Sequence, residues 1–216
     1  MPGSGDETGA AGYRPLGDRA PAFFPGPGFF PGGRSRGVTV AVDGFFALVW
    51  FGWGQAAAPS WLVVPLAVGT GLAALLAAAG VVATTRSTGR LPAFSDPVVR
   101  RRYSVIVGLE FGLLGAGAAV LGVTGHYQWV AVWICFGVGV HFFPLASALD
   151  NPSLRPLGVL LMVVAVAALI TGLASSVAPS TITGVGAGLC LFGFGLATLF
   201  SGGAGSPSPA DAPVQP

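Results

Sequence analysis

Six apolar stretches, each near the ~20 residues that cross a bilayer core of ~30 Å, dominate this chain. They run approximately over 38–57, 61–84, 103–124, 128–149, 156–175 and 180–201. Backbone placed in hydrocarbon must satisfy its own hydrogen bonds, which leaves helices and closed barrels as spanning structures. Barrel strands alternate apolar and polar residues, and these runs do not. The composition agrees. Charged residues make up 8% of the chain, against about 25% in an average soluble domain. Ten basic and eight acidic residues are too few to clothe the surface of a soluble globule of this length. A hydrophobic content of 53% excludes a disordered polymer, and two cysteines exclude a disulfide scaffold. The 35 glycines lack the triplet period of collagen. The expected fold is all-α: a polytopic membrane protein with a six-transmembrane-helix bundle and disordered tails.

The expected organisation is a Pro/Gly-rich disordered tail over 1–37, a transmembrane domain over 38–201 and a second disordered tail over 202–216. The first tail holds a short tandem repeat, Phe23-Phe24-Pro25-Gly26-Pro27-Gly28 and then Phe29-Phe30-Pro31-Gly32-Gly33. Two readings of the repeat stand: a peptide that dips among lipid headgroups or docks a partner, and compositional drift in a linker. Three connections are short, at Ala58-Pro59-Ser60, Gly125-His126-Tyr127 and Ser176-Val177-Ala178-Pro179, and they impose antiparallel hairpins.

All ten basic residues are arginines, at 14, 19, 34, 36, 86, 90, 100, 101, 102 and 155. In a six-span arrangement every one falls on the same side, which puts both termini in the cytoplasm by the positive-inside rule. The expected location is a bacterial plasma membrane. Gln55-Ala56-Ala57-Ala58 has the small residues of a signal cleavage site, but Asp43 interrupts the apolar run before it and Pro59 follows it. The first span is therefore expected to be retained.

Ionisable groups within spans are expensive and mark candidate sites. Glu110, His141 and Asp43 are the three. Counting at 1.5 Å per residue puts Glu110 about 10 Å and His141 about 12 Å from the cytoplasmic ends of their spans. Consecutive antiparallel helices allow these two to pair and to share a proton. Asp43, about five residues into the first span, is expected near the inner headgroups as an N-terminal cap. In the third span Ser104, Gly108, Gly112, Gly115, Ala119 and Gly122 form one seam of small residues, suited to close approach by a neighbouring helix. Glu110 lies ~200° from the glycines two residues either side of it. A seam on one face and a carboxyl on the other predict a third span covered by protein on both sides, at the centre of the bundle. The fifth span lacks ionisable groups inside it and is expected to be the most lipid-exposed. Cys135 and Cys190 are expected to pack as small hydrophobes without a bridge, His126 to sit in an interfacial turn, and the five tryptophans to anchor the outer edge.

The fourth span carries the string Gly137-Val138-Gly139-Val140-His141-Phe142-Phe143-Pro144-Leu145-Ala146. Pro144 has no N–H for the Val140 carbonyl, so a bend is expected beside the histidine. The string resembles a group of small multi-span bacterial membrane proteins that share Gly-x-His-Phe-[Phe/Leu]-Pro-Leu-Ala. The resemblance covers the third and fourth spans and includes a glutamate in the preceding helix, matched by Glu110. It implies a multi-span bacterial membrane protein and marks His141, without implying a reaction.

No nucleic-acid module, phosphate loop, metal-ligand set or nucleophile elbow is legible, so no catalytic, cofactor or metal residues are expected and enzyme activity is not. Beyond the bilayer itself, the expected partners are a second copy or another membrane protein, and no nucleic acid. Two function classes follow: a non-enzymatic membrane component that assembles with itself or with partners, and a small-solute or proton-coupled transporter built on Glu110 and His141.

Overall fold

A computed structural model describes residues 33–87, 97–148 and 151–201, with the backbone alone at 97–100, 102, 103 and 148. The tails, including the Phe-Phe-Pro-Gly repeat, lie outside the described residues apart from the stretch noted below. The fold is an all-α bundle of six helices long and apolar enough to cross a membrane. They are α1 (Gly33–Gln55), α2 (Ser60–Arg86), α3 (Pro97–Val123), α4 (Val130–Ala148), α5 (Leu154–Ala174) and α6 (Pro179–Phe200), with one 3₁₀ turn at Tyr127–Trp129 before α4.

α1 starts earlier than the hydropathy of the sequence implies. It takes in residues 33–37, assigned above to the tail, because the stems of Arg34 and Arg36 let a helix run on through the headgroup layer. The turns are short, as expected. Between α3 and α4, Gly125 takes φ +77°. The His126 N–H donates to the Leu121 carbonyl and the Gly125 N–H to the Gly122 carbonyl. This glycine-dependent cap reverses the chain within a few residues. Before α5, Asn151 Oδ1 accepts from both the backbone N–H and the hydroxyl of Ser153.

Packing is organised by α1. Against α2, a Cβ added at Gly44 would lie 2.5 Å from the Ala77 nitrogen, one at Gly80 2.2 Å from the Ala41 nitrogen, and one at Gly37 2.6 Å from the Thr84 nitrogen. These pairs follow one antiparallel register, with backbone on backbone. Against α6 the register continues through Gly54 on Gly184 and Phe51 on Gly188 to Asp43 on Gly195. On the other side of α6, α4 and α5 cross where a Cβ at Gly158 would stand 2.7 Å from the Gly139 carbonyl oxygen. The core joins Ala47, Trp50 and Phe51 of α1 to Leu157, Leu161 and Ala165 of α5 and Leu191 of α6.

Three expectations are overturned here. α3 is peripheral: only 6% of its membrane window is buried, against 28% for α5, and Leu114 is its one buried hydrophobic side chain among those described. Its seam of Ser104, Gly108, Gly112, Gly115, Ala119 and Gly122 is exposed throughout, and a Cβ at any of the four glycines would meet nothing within 4 Å. Among the described residues, the close backbone crossings at glycine lie between α1, α2 and α6 and between α4 and α5 instead. α5, expected to be the most lipid-exposed, buries Leu157, Leu161, Ala165 and Ala168 against its neighbours. The tryptophans are not uniformly anchors either. Trp61 is 72% exposed, but Trp50 is buried in the core and stacks on Trp53.

These clearances separate two sets of glycines experimentally. Gly80→Ala and Gly44→Ala are expected to cost about 1–3 kcal/mol each, the usual penalty for overpacking. Gly112→Ala and Gly115→Ala should leave the thermal midpoint of the isolated chain in detergent unchanged. Equal losses for both sets would mean that α3 is packed on both faces.

Candidate polar site between α3 and α4

α3 meets α4 along a single stripe. Glu110, Leu114 and Gly117 recur at helical spacing on α3, and Trp133, Gly137 and His141 do so on α4. Antiparallel register brings them together in order. A Cβ at Gly117 would sit 2.4 Å from Trp133 Nε1, and one at Gly137 would overlap the end of the Leu114 side chain. Each glycine therefore accommodates the large residue opposite. Trp133 Nε1–H donates to the Leu114 carbonyl at 3.0 Å. This bond ties the indole to backbone that already belongs to a helix.

At the end of the stripe nearer the start of α3, His141 Nδ1 and Glu110 Oε2 are 2.6 Å apart. One hydrogen joins them, either as Nδ1–H donating to the carboxylate or as the carboxylic O–H donating to the ring nitrogen. The His141 side chain is 14% exposed and the Glu110 side chain 19%. The pair is mostly covered and keeps a small exposure. Phe111 approaches the imidazole edge-on with centroids 6.1 Å apart, and Phe142 flanks it at 6.3 Å. A short, charge-capable hydrogen bond walled by phenyl rings lies in a poor dielectric, where such bonds are strong and unpaired groups costly.

Pro144 follows one turn later, and α4 continues as a helix through it to Ala148. Its missing N–H leaves the Val140 carbonyl, next to His141, with an open acceptor. His126 lies apart in the α3–α4 turn, with Nδ1 3.3 Å from the Thr124 hydroxyl. Cys135 and Cys190 are both free thiols, and Cys135 donates to the Leu161 carbonyl at 3.4 Å. Among the described residues, no group of three or more His, Cys, Asp or Glu side chains is placed to hold a metal ion.

Asp43 does not join this site. It is the eleventh residue of α1 rather than its cap, and it is buried. Its neighbours are Leu76 of α2 and Gly195 of α6. The longer α1 explains the correction: with the helix starting at Gly33, the carboxyl stands about 15 Å from its first residue. The Trp133–Gly117 contact and the Leu114–Gly137 contact were not foreseen from sequence. Their signal was present in the four-residue steps of Trp133, Gly137 and His141, which match the small and large positions of α3. No family model, curated protein or solved structure matches the chain.

The hydrogen bond makes Glu110 and His141 a unit. Glu110→Gln and His141→Ala should each destabilise the protein by about 1–3 kcal/mol, the cost of stranding a buried partner. The double substitution should cost clearly less than the two together. Strict additivity in a denaturation series would show that the contact contributes nothing.

Proposed function

We propose that this chain is a non-enzymatic integral membrane protein that works by assembly, with α3 as its assembling helix and a second copy as the simplest partner. Open space beside Gly108, Gly112, Gly115 and Gly122 supports this most directly. Small-residue seams in membrane helices allow backbones to approach, and within lipid such approach is what drives association. Among the described residues, glycines of α1, α2, α4, α5 and α6 stand at crossings inside the chain, while this seam faces outward. The attachment of α3 by one stripe also leaves it free to be covered from outside.

We place the protein in the plasma membrane of a bacterium with both termini cytoplasmic. Arg34 and Arg36 begin α1, Arg86 ends α2, and Arg101 and Arg155 lie in the opening turns of α3 and α5. Antiparallel packing gathers these described arginines at one end of the bundle, and a positive end faces the cytoplasm. Cysteines introduced at Ser4 and Ser206 should accordingly react with an impermeant thiol reagent only in opened cells. Reaction in intact cells would reverse the orientation.

A second reading, proton-coupled transport of a small solute, is favoured by one observation: the 2.6 Å Glu110–His141 pair is closed by protein yet still partly accessible. One set of reconstituted vesicles separates the readings. Under assembly, Gly115→Cys, in a chain with Cys135 and Cys190 replaced by alanine, forms a disulfide-linked dimer in the bilayer. Leu169→Cys, on the exposed face of α5, does not. Adding Gly112→Leu should lower the yield at least about tenfold, equivalent to ~1.4 kcal/mol of association. A chain that stays monomeric and uncrosslinked, but carries a proton flux that Glu110→Gln abolishes, would replace the assembly reading with transport.

A further inference from the structure

Asp43 is the one described residue whose polar side chain ends in a buried oxygen without a hydrogen bond: no described residue serves its Oδ2. Its side chain is 3% exposed. The space it occupies exists because residue 195 is glycine. A Cβ there would stand 3.0 Å from Asp43 Cβ, 3.1 Å from Leu76 Cδ2 and 3.8 Å from Asp43 Oδ2. The carboxyl is thus built into the place where α6 packs on α1 and α2, and it takes no part in the α3–α4 site.

The surroundings are poor in donors and rich in acceptors. Along α2 the facing residues are Ala73, Leu76, Ala77 and Gly80. The only ionisable side chain of α2 is Arg86, ten residues beyond Leu76 and about 15 Å along the axis. On α6, Gly195 stands between Leu191 and Thr198. The Thr198 hydroxyl is committed to the Phe194 carbonyl at 2.9 Å, and Cys190 is the only titratable side chain of α6. On α1 itself, Arg36 lies two turns toward the helix start, about 10 Å away. Backbone N–H groups in helix interiors are already used. A carboxylate accepts hydrogen bonds only, and no described residue offers one to Oδ2. A carboxylic acid gains an O–H, which can turn to a helix carbonyl as Thr39, Thr84 and Thr198 do one turn back.

We propose that Asp43 is a proton-binding site of this protein, in which the α1–α2–α6 core holds the side chain as the neutral acid. The ligand is a hydrogen ion, and the site is independent of Glu110 and His141. Losing that proton would leave a buried charge without a partner. Release is therefore tied to separation of α6 or α2 from α1, which makes the protonation of Asp43 a report on the packing of these three helices.

Infrared spectroscopy of the full chain in lipid bilayers near pH 7 tests this directly. Exposed aspartates are ionised at that pH, so a neutral-acid carbonyl band that shifts when aspartate carries a ¹³C side-chain carboxyl identifies a buried protonated aspartate. One such band is expected. It should persist in Glu110→Gln and disappear in Asp43→Asn. Should Asp43→Asn fail to insert, the isotope shift in the unsubstituted chain still decides. A label that moves carboxylate bands alone, including bands sensitive to added sodium or potassium, would overturn the proposal in favour of an ionised side chain. A neutral-acid band lost in Glu110→Gln and insensitive to the aspartate label would overturn it as well.

Discussion

The backbone-to-backbone crossing of α1 with α2 and α6 is the interaction on which the rest of this bundle depends. Lipid tails are as apolar as leucine, so burying an apolar side chain between membrane helices brings little hydrophobic gain. Dense van der Waals contact takes over, and that requires helices without intervening side chains. Gly37, Gly44 and Gly54 on α1, Gly80 on α2, and Gly184, Gly188 and Gly195 on α6 supply those positions. A Cβ at Gly37, Gly44, Gly80, Gly184 or Gly188 would come within 3.0 Å of a neighbouring atom, and one at Gly54 or Gly195 would stand 3.2 or 3.0 Å from its nearest neighbour. The larger residues Trp50, Phe51, Leu66 and Leu191 then fill the spaces around the crossings, and α5 and α4 pack against the result.

α3 obeys a different logic. It is held by a stripe in which glycine and large residue alternate between partners, with two hydrogen bonds along it: Trp133 to the Leu114 carbonyl and Glu110 to His141. In a low dielectric both bonds are expensive to leave unmade. Polar contacts therefore specify the position of α3, in place of the extensive apolar packing that the other helices have. A helix attached in this way leaves most of its described surface uncovered by the rest of the chain.

The acidic and histidine side chains within the described spans are divided between these two regions. Glu110 and His141 share a hydrogen bond between α3 and α4 and keep a small exposure. Asp43 is closed within α1, α2 and α6, where no described residue bonds its Oδ2. Depth along the bundle and position around it are independent, and only the second decides which groups meet.

Much of the fold was legible in the residues themselves. The length of the six apolar runs dictates helices that span a bilayer, because lipid cannot satisfy backbone groups. Short turns at Pro59, Gly125 and Pro179 make neighbours antiparallel, and antiparallel neighbours bring Glu110 within range of His141. Tertiary structure alone decided which helix is central, which faces are covered and where Asp43 points. The seam of α3 and the glycines of α1 look alike in sequence, since a small residue permits close approach without compelling it. Hydropathy cannot separate them, because in a membrane the protein interior and the surrounding lipid are equally apolar. Only the fit of one helix surface to another distinguishes the buried face from the exposed one.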